Sequence, residues 1–481
     1  YLRGLLDKIG VQPDYLTCGA YKSAAELFTR TGPSQPANEM MNWLLDGLYQ
    51  DKVDLIARGR KLPPDKVREL IDRGLFNAES AKAAGLIDAV EQRQDFEKFL
   101  RDKYGAVGSG VTFARKYGQK KSPQLDLTSP FGLMKFMGEM MGAGAKKPKS
   151  DKPAVAVVYV NGPIVLGRGE GVNPLAMGGP VAASTPIRKA LDEALRDDSI
   201  KAVVLRVDSP GGSAVASEII LDATKRIKAK KPFTVSMGDT AGSGGYYVSL
   251  GADTIFADES TITASIGVVA GKFVTDGMWG KVGITFKAYD RGKSAGLLAG
   301  DRPFNPEERE RVQSWMNTVY DTFKAHVTDS RGNRLKKPLD DLAGGRVFTG
   351  RQALELGLID RIGTLHDAID HAAAEAKLKA GEYEVRTVPE PKNPLQAVMA
   401  ALTGESPNDE ESNGLVASDG PRAAAALSAA LRGPSLIDLA APQLEHLDPQ
   451  RVRAAKAALL RMELLQREGV LLAAPEMVIG N

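Results

Sequence analysis

Lys201-Ala202-Val203-Val204-Leu205-Arg206-Val207, Asp208-Ser209-Pro210-Gly211-Gly212-Ser213 and Ala214–Lys230 follow one another without a gap. They read as strand, glycine turn and helix. A near-continuous apolar run of this length predicts a strand buried on both faces. The same alternation extends to either side. Ala154–Val160 predicts an earlier strand, and Thr185-Pro186 predicts a helix start, with Thr185 as N-cap and Pro186 at the first helical position, running to about Asp197. Phe233–Met237 and Asp253–Ala257 predict a third and a fourth strand. Strands alternating with helices imply an α/β fold whose largely parallel sheet is covered on both faces. Reactive groups then belong in the turns that leave the strand ends.

The 481 residues exceed what one hydrophobic core usually holds, so at least two domains are expected. Lys and Arg total 63 against 60 Asp and Glu, a balance that gives no electrostatic case for nucleic acid. Cys18 is the only cysteine, which excludes an internal disulfide. The four histidines, His326, His366, His371 and His446, form no cluster, so neither a metal site nor another cofactor is expected. No uncharged apolar run reaches 18 residues, which argues against a membrane-spanning helix within this sequence. The opening Tyr1–Gly10 is helix-like and lacks an initiating Met, so the start reads as a cut, with any leader or anchor lying upstream of view.

An internal duplication organises the chain. Phe76-Asn77-Ala78-Glu79-Ser80-Ala81-Lys82-Ala83-Ala84-Gly85-Leu86-Ile87-Asp88 matches Phe348–Asp360 at an offset of 272, and the same offset carries Trp43 onto Trp315. Shifted by one, it carries Lys22-Ser23-Ala24 onto Lys293-Ser294-Ala295. The expected organisation is the C-terminal part of a first domain over 1–100, a linker over 101–152, a second domain over 153–380 and a C-terminal extension over 381–481. The linker is rich in Gly, Lys, Ser and Pro. Its apolar middle, Phe131–Met141, is expected to pack on its own domain, with docking on a partner or membrane surface as the alternative. Residues 387–421 read as a loose connection and 422–466 as helical.

Two glycine turns follow strands in the second copy. Gly211-Gly212 can turn backbone N–H groups toward a developing negative oxygen. The other, Gly238-Asp239-Thr240-Ala241-Gly242-Ser243-Gly244-Gly245-Tyr246-Tyr247, sets one hydroxyl among small residues at the start of a helix. Neither turn has phosphate-loop spacing, and Ala241 breaks the nucleophile-elbow pattern. A nucleophilic serine needs a base. All four histidines lie after residue 325, which leaves lysine. A lysine ordinarily titrates near about 10.4, so burial would have to bring it down to neutrality at a cost of roughly 4 kcal/mol.

Asp208–Ser213, Ser236–Tyr246 and Thr263-Ala264-Ser265-Ile266-Gly267-Val268 resemble the signature blocks of the signal peptide peptidase A family. Gly19-Ala20-Tyr21-Lys22-Ser23-Ala24 is similar to the lysine block of its long, two-domain form. The resemblance covers roughly residues 1–375. It implies the ClpP/crotonase-like spiral of ββα units in two tandem related domains, the first truncated at its N-terminus. It also implies Ser243 as nucleophile, Lys22 as general base, Ser265 as the hydroxyl that orients the lysine, and Gly212 with Gly244 as oxyanion donors. One departure is that Lys293 survives in the second copy, where the better-known two-domain members have lost their lysine. In single-domain relatives the serine-to-lysine spacing is close to the 50 residues between Ser243 and Lys293, so Lys293 is the alternative base. The family further implies peptide substrates such as signal peptides, a homo-oligomeric ring (a tetramer), membrane association and a bacterial cell-envelope location. The rival readings are a crotonase-like acyl-thioester enzyme and an inactive peptide-binding scaffold.

Overall fold

The computed structural model describes residues 1–105, 150–169, 180–390 and 470–474. Phe131–Met141 and 422–466 lie outside the described residues, as does most of the expected linker. The chain divides into two compact units, Tyr1–Leu48 with Asp151–Asn481, and Tyr49–Ser150.

Fourteen strands are described, all in the first unit: β1 (Gln12–Cys18), β2 (Ala154–Asn161), β3 (Ile164–Val165), β4 (Ala182–Ala183), β5 (Ile200–Ser209), β6 (Gly211–Ser213), β7 (Phe233–Gly242), β8 (Thr254–Ala257), β9 (Ile262–Ala264), β10 (Val268–Val274), β11 (Val347–Phe348), β12 (Arg361–Ile362), β13 (Glu384–Thr387) and β14 (Val470–Ala473). One sheet runs β11-β9-β7-β5-β2-β13, with β8 and β12 branching from β7. Its pairings are parallel except β11 with β9. This is the sheet the apolar runs predict, and Val203, Leu205, Val235 and Ile255 are all fully buried in it.

A second sheet, β1-β10-β14-β6-β3-β4, has no counterpart in the sequence reading. Its centre is antiparallel, with β1 zipped to β10 over seven residues from Gln12↔Val274 to Cys18↔Val268. Between the sheets lies the largest core cluster, with Ile164, Ile220, Tyr246 and Val268 among its members.

One helix start differs from expectation. The helix runs Ser184–Arg196 with Ala183 as N-cap and no capping side chain, so Thr185 lies inside the first turn. Its backbone N–H bonds Gly167 O, and Ser184 Oγ accepts from Gly167 N–H. The loop before the helix thus occupies the groups a cap would have used. The next helix, Ala214–Lys228, is capped by Ser213, whose hydroxyl accepts from Ala216 N–H.

The duplication recurs as local structure. The Gln35–Arg60 and Pro306–Arg331 helices have 26 residues each. Asn77 and Thr349 each cap a six-residue helix through a capping box. Gly85 (φ +75°) and Gly357 (φ +79°) then reverse the chain in the left-handed region. Arg60 bonds Gly85 O and pairs with Asp88, and Arg331 bonds Gly357 O and pairs with Asp360. The same arginine–turn–aspartate lock is therefore built twice.

Candidate active site

Strand β7 ends at Gly242, and Ser243 turns the chain into the Gly244–Ser249 helix. At φ 53° and ψ −107° the serine occupies backbone space that residues with a Cβ rarely enter. Two hydrogen bonds hold it there, Ser243 N–H to Ala264 O (2.6 Å) and Tyr247 N–H to Ser243 O (2.8 Å). The flanking glycines are required by packing. A Cβ on Gly244 would lie 2.8 Å from Ser217 Oγ, and one on Gly245 would lie 2.6 Å from Ser209 O. The same construction sets Gly212 N only 3.1 Å from a Cβ on Gly244, so the two glycine turns lie side by side.

Lys22 comes from the opposite end of the sequence. Strand β1 delivers the chain to Gly19, where a Cβ would collide with Gly344. Tyr21 N–H then bonds Gly344 O at 2.8 Å, and Lys22 N–H bonds Gly19 O at 3.2 Å. Gly345, at φ +88°, leaves room for the lysine backbone, because a Cβ there would sit 2.6 Å from Lys22 Cα. The side chain is 2 % exposed. Its Nζ lies 2.7 Å from Ser243 Oγ, 3.0 Å from Ser265 O and 3.1 Å from Ser265 Oγ.

Ser265 can offer both oxygens because Ala264 (φ 67°) and Ser265 (φ 56°) are consecutive left-handed residues. Each such non-glycine residue costs on the order of 1–3 kcal/mol and persists only where its surroundings over-determine it. Here Ser265 N–H bonds Arg346 O at 2.7 Å, and Gly345 N–H bonds Ile266 O at 2.8 Å.

Of the residues singled out in the sequence, Ser243, Lys22 and Ser265 are brought together, with Gly212 and Gly244 beside them. Lys293 is exposed in the loop after the Asp276–Lys281 helix. The described histidines are engaged elsewhere, His326 with Glu218, His371 with Thr254 and His366 with Asp370. Among the described residues no group of His, Cys, Asp and Glu could hold a metal ion. The sequence reading missed Gly344-Gly345, whose only signal is the glycine pair itself, and the two left-handed residues before Ile266.

The family model described as Peptidase family S49 matches residues 1–106 and 225–379. The chain belongs to peptidase family S49. Two curated relatives place this S49 chain further. It is 30% identical over 379 residues to "Serine protease SPPA, chloroplastic" of Arabidopsis thaliana, covering 79% of this chain and 53% of that protein. It is 32% identical over 385 residues to "Protease 4" of Haemophilus influenzae, covering 77% and 57%. The chain thus spans little more than half the length of these relatives. Among solved structures it resembles the 1510-N membrane-bound stomatin-specific protease in complex with a substrate peptide, at 14% identity and a TM-score of 0.31, covering 53% of this chain and 99% of that one. The two-sheet α/β arrangement is consistent with the ClpP/crotonase-like fold that S49 membership carries. No helix among the described residues is long and apolar enough to cross a membrane.

Proposed function

We propose that this chain is a serine endopeptidase in which Lys22 is the general base for Ser243. The observation that carries the reading is the 2.7 Å separation of Lys22 Nζ and Ser243 Oγ, both buried. Burial favours the uncharged form of an amine. A neutral amine has two N–H donors and one lone pair. Ser265 O and Oγ accept the donors, which leaves the lone pair facing the Ser243 hydroxyl.

In the reaction, Ser243 Oγ bonds to the peptide carbonyl carbon as its proton passes to Lys22 Nζ. The carbonyl oxygen takes up the negative charge, and the N–H groups of Gly212 and Gly244 stabilise it. Collapse breaks the C–N bond, and Lys22 returns the proton to the leaving amine. Water, deprotonated by Lys22, then attacks the ester carbonyl, and as the bond to Ser243 Oγ breaks Lys22 returns that proton to it, releasing the acid and restoring the free serine. No metal or organic cofactor enters these steps.

Substrates are extended, largely apolar peptides, signal peptides among them, bound as an added strand beside the glycine turns. The proteolytic domain is 153–380, and residues 1–100, related by the internal repeat to its C-terminal part, supply the lysine. The protein works as a homo-oligomeric ring in the cell envelope, where Lys293 points at the equivalent position of a first-repeat domain.

The test is covalent labelling with a serine-reactive phosphonate, followed by mapping of the modified residue. Label at Ser243, abolished in Ser243→Ala and Lys22→Ala and retained in Lys293→Ala, is the expected result. Full labelling of Lys22→Ala would remove Lys22 from the mechanism.

A further inference from the structure

Gly344-Gly345-Arg346 stands between the two segments that hold the amine, and Arg346 reaches both. On one side its guanidinium carbon lies 3.6 Å from the centre of the Tyr21 ring, and Nη2 donates to the Tyr21 hydroxyl. On the other its carbonyl accepts from Ser265 N–H at 2.7 Å. The next residue, Val347, pairs with Ala264 in β9. Tyr21 directly precedes Lys22, and Ser265 supplies two oxygens, at 3.0 and 3.1 Å, to the amine. One residue therefore joins the Lys22 segment, by its side chain, to the Ser265 segment, by its backbone.

The lysine needs such a link. The β1 ladder ends at Cys18↔Val268, so sheet pairing does not place Lys22. The chain makes a short turn instead, closed by Lys22 N–H to Gly19 O at 3.2 Å. A reacting group must be held to within about 0.5 Å by neighbours whose own side chains are locked. The clamp is also specific to one repeat. The residue before Lys293 is Gly292, and the position 272 before Arg346 is Gly74, so neither partner recurs. Lys293, which lacks the clamp, is exposed. The lysine is duplicated and its fastening is not.

We infer that Arg346 is a positioning residue for the reaction, clamping the Lys22 segment to the Ser265 segment through Tyr21 and so setting the distance from amine to serine hydroxyl. The inference rests on the reading of Lys22 as the base for Ser243. An arginine suits the task because its planar fork stacks on an aromatic face and bonds a hydroxyl at once. A lysine's point charge does only the first of these well.

The test is a double-mutant cycle of Arg346→Ala and Tyr21→Ala in the full chain, with folding checked by circular dichroism. Arg346→Ala removes the guanidinium and keeps the carbonyl that Ser265 N–H bonds. Each single variant should lower kcat on a fluorogenic peptide by about tenfold to a hundredfold, with KM unchanged. The double variant should lose no more than the worse single, because both deletions break one contact. Tyr21→Phe, which keeps the ring, should recover most of the Tyr21→Ala loss. Wild-type kcat in Arg346→Ala, or losses that multiply in the double variant, would overturn the inference and leave the Lys22 reading standing. Acetylation of Lys22 by sulfosuccinimidyl acetate, mapped by mass spectrometry, decides the inference without activity. Lys22 is 2 % exposed, so wild type should be protected and folded Arg346→Ala modified about tenfold faster. If no form labels at Ser243 with phosphonate, the catalytic reading fails, and an unchanged acetylation rate would separately overturn the clamp. Should Arg346→Ala not fold, Arg346→Lys carries the same two measurements, with smaller changes in the same directions.

Discussion

Ser265 presents two oxygens to Lys22, its carbonyl at 3.0 Å and its hydroxyl at 3.1 Å, from a backbone held in the left-handed region. Both bonds hold the amine whose Nζ lies 2.7 Å from Ser243 Oγ. Ser265→Ala deletes one of them and keeps the other. The expected outcome is a fall in kcat of about tenfold to a hundredfold, within the range of general-base contributions, with KM unchanged. Ser265→Thr, which restores the hydroxyl, should recover part of the loss. Steady-state kinetics on a fluorogenic peptide separates this positioning role from a change in binding.

Gly345→Ala is expected to abolish activity although the residue touches no substrate. The new methyl would lie 2.6 Å from Lys22 Cα at a backbone φ of +88°, so the lysine backbone must move. Displacement of a reacting group by about 1 Å costs on the order of a hundredfold in rate. Phosphonate labelling of Ser243 should fall by at least that factor, and thermal unfolding should show a protein that still folds.

The duplicated arginine–aspartate lock offers an internal comparison of buried and exposed ion pairs. The Arg331 side chain is 1% exposed and donates to Gly357 O twice as well as to Asp360, whose carboxyl is held below its usual range by Arg331. Asp360→Asn would strand a buried guanidinium, a change worth about 3–5 kcal/mol of stability. In the other copy the Asp88 side chain is 91% exposed, and Asp88→Asn should leave the melting temperature unchanged. Differential scanning fluorimetry of the two variants is sufficient.

Acid sensitivity should run through Glu308. The Arg302 guanidinium donates to both its oxygens, at 2.6 and 2.7 Å, and Asn305 N–H adds a third bond, together holding the carboxyl at about 2. A depressed folded-state pKa means stability that is fully present above the unfolded value and lost as pH falls through the folded one. The Tm gap between wild type and Glu308→Gln should therefore be full at neutral pH. It should shrink from about pH 4.5 and close near pH 2. A gap that does not change with pH would mean that another interaction supplies it.

How much of this was legible in the sequence depended on whether chemistry or burial wrote the signal. The parallel sheet stood out because β2, β5 and β7 are buried on both faces and so spell apolar runs. The second sheet did not. Strand β1 reads Gln-Pro-Asp-Tyr-Leu-Thr-Cys, with Pro13 and a buried Asp14 bonded to Phe304 N–H. Strand β10 contains Gly271 and a buried Lys272, whose ammonium lies 4.5 Å from the Phe304 ring centre. These polar residues break the pattern because their partners come from the distant Pro306–Arg331 helix and the loop before it. Strand β14 is four residues long and follows a helix-like stretch, so nothing local announces it. At the site, Ser243 was marked by its glycine-rich turn, whereas Lys22 and Ser265 were named only by the resemblance of their blocks to the signal peptide peptidase A family. The left-handed turn at Ala264-Ser265 was not marked at all, since neither residue type advertises a positive φ.

The seven-residue ladder between β1 and β10 joins residues 250 to 262 positions apart, and Lys22 lies only four residues beyond its end. Contacts of such long range form slowly, because the loop must close before they give anything back. A newly made chain therefore carries Ser243 apart from Lys22 until residues 12–18 and 268–274 pair. Under the proposed dyad, any chemistry that needs both groups waits on that pairing, so the slowest contact of the second sheet sets when it can begin.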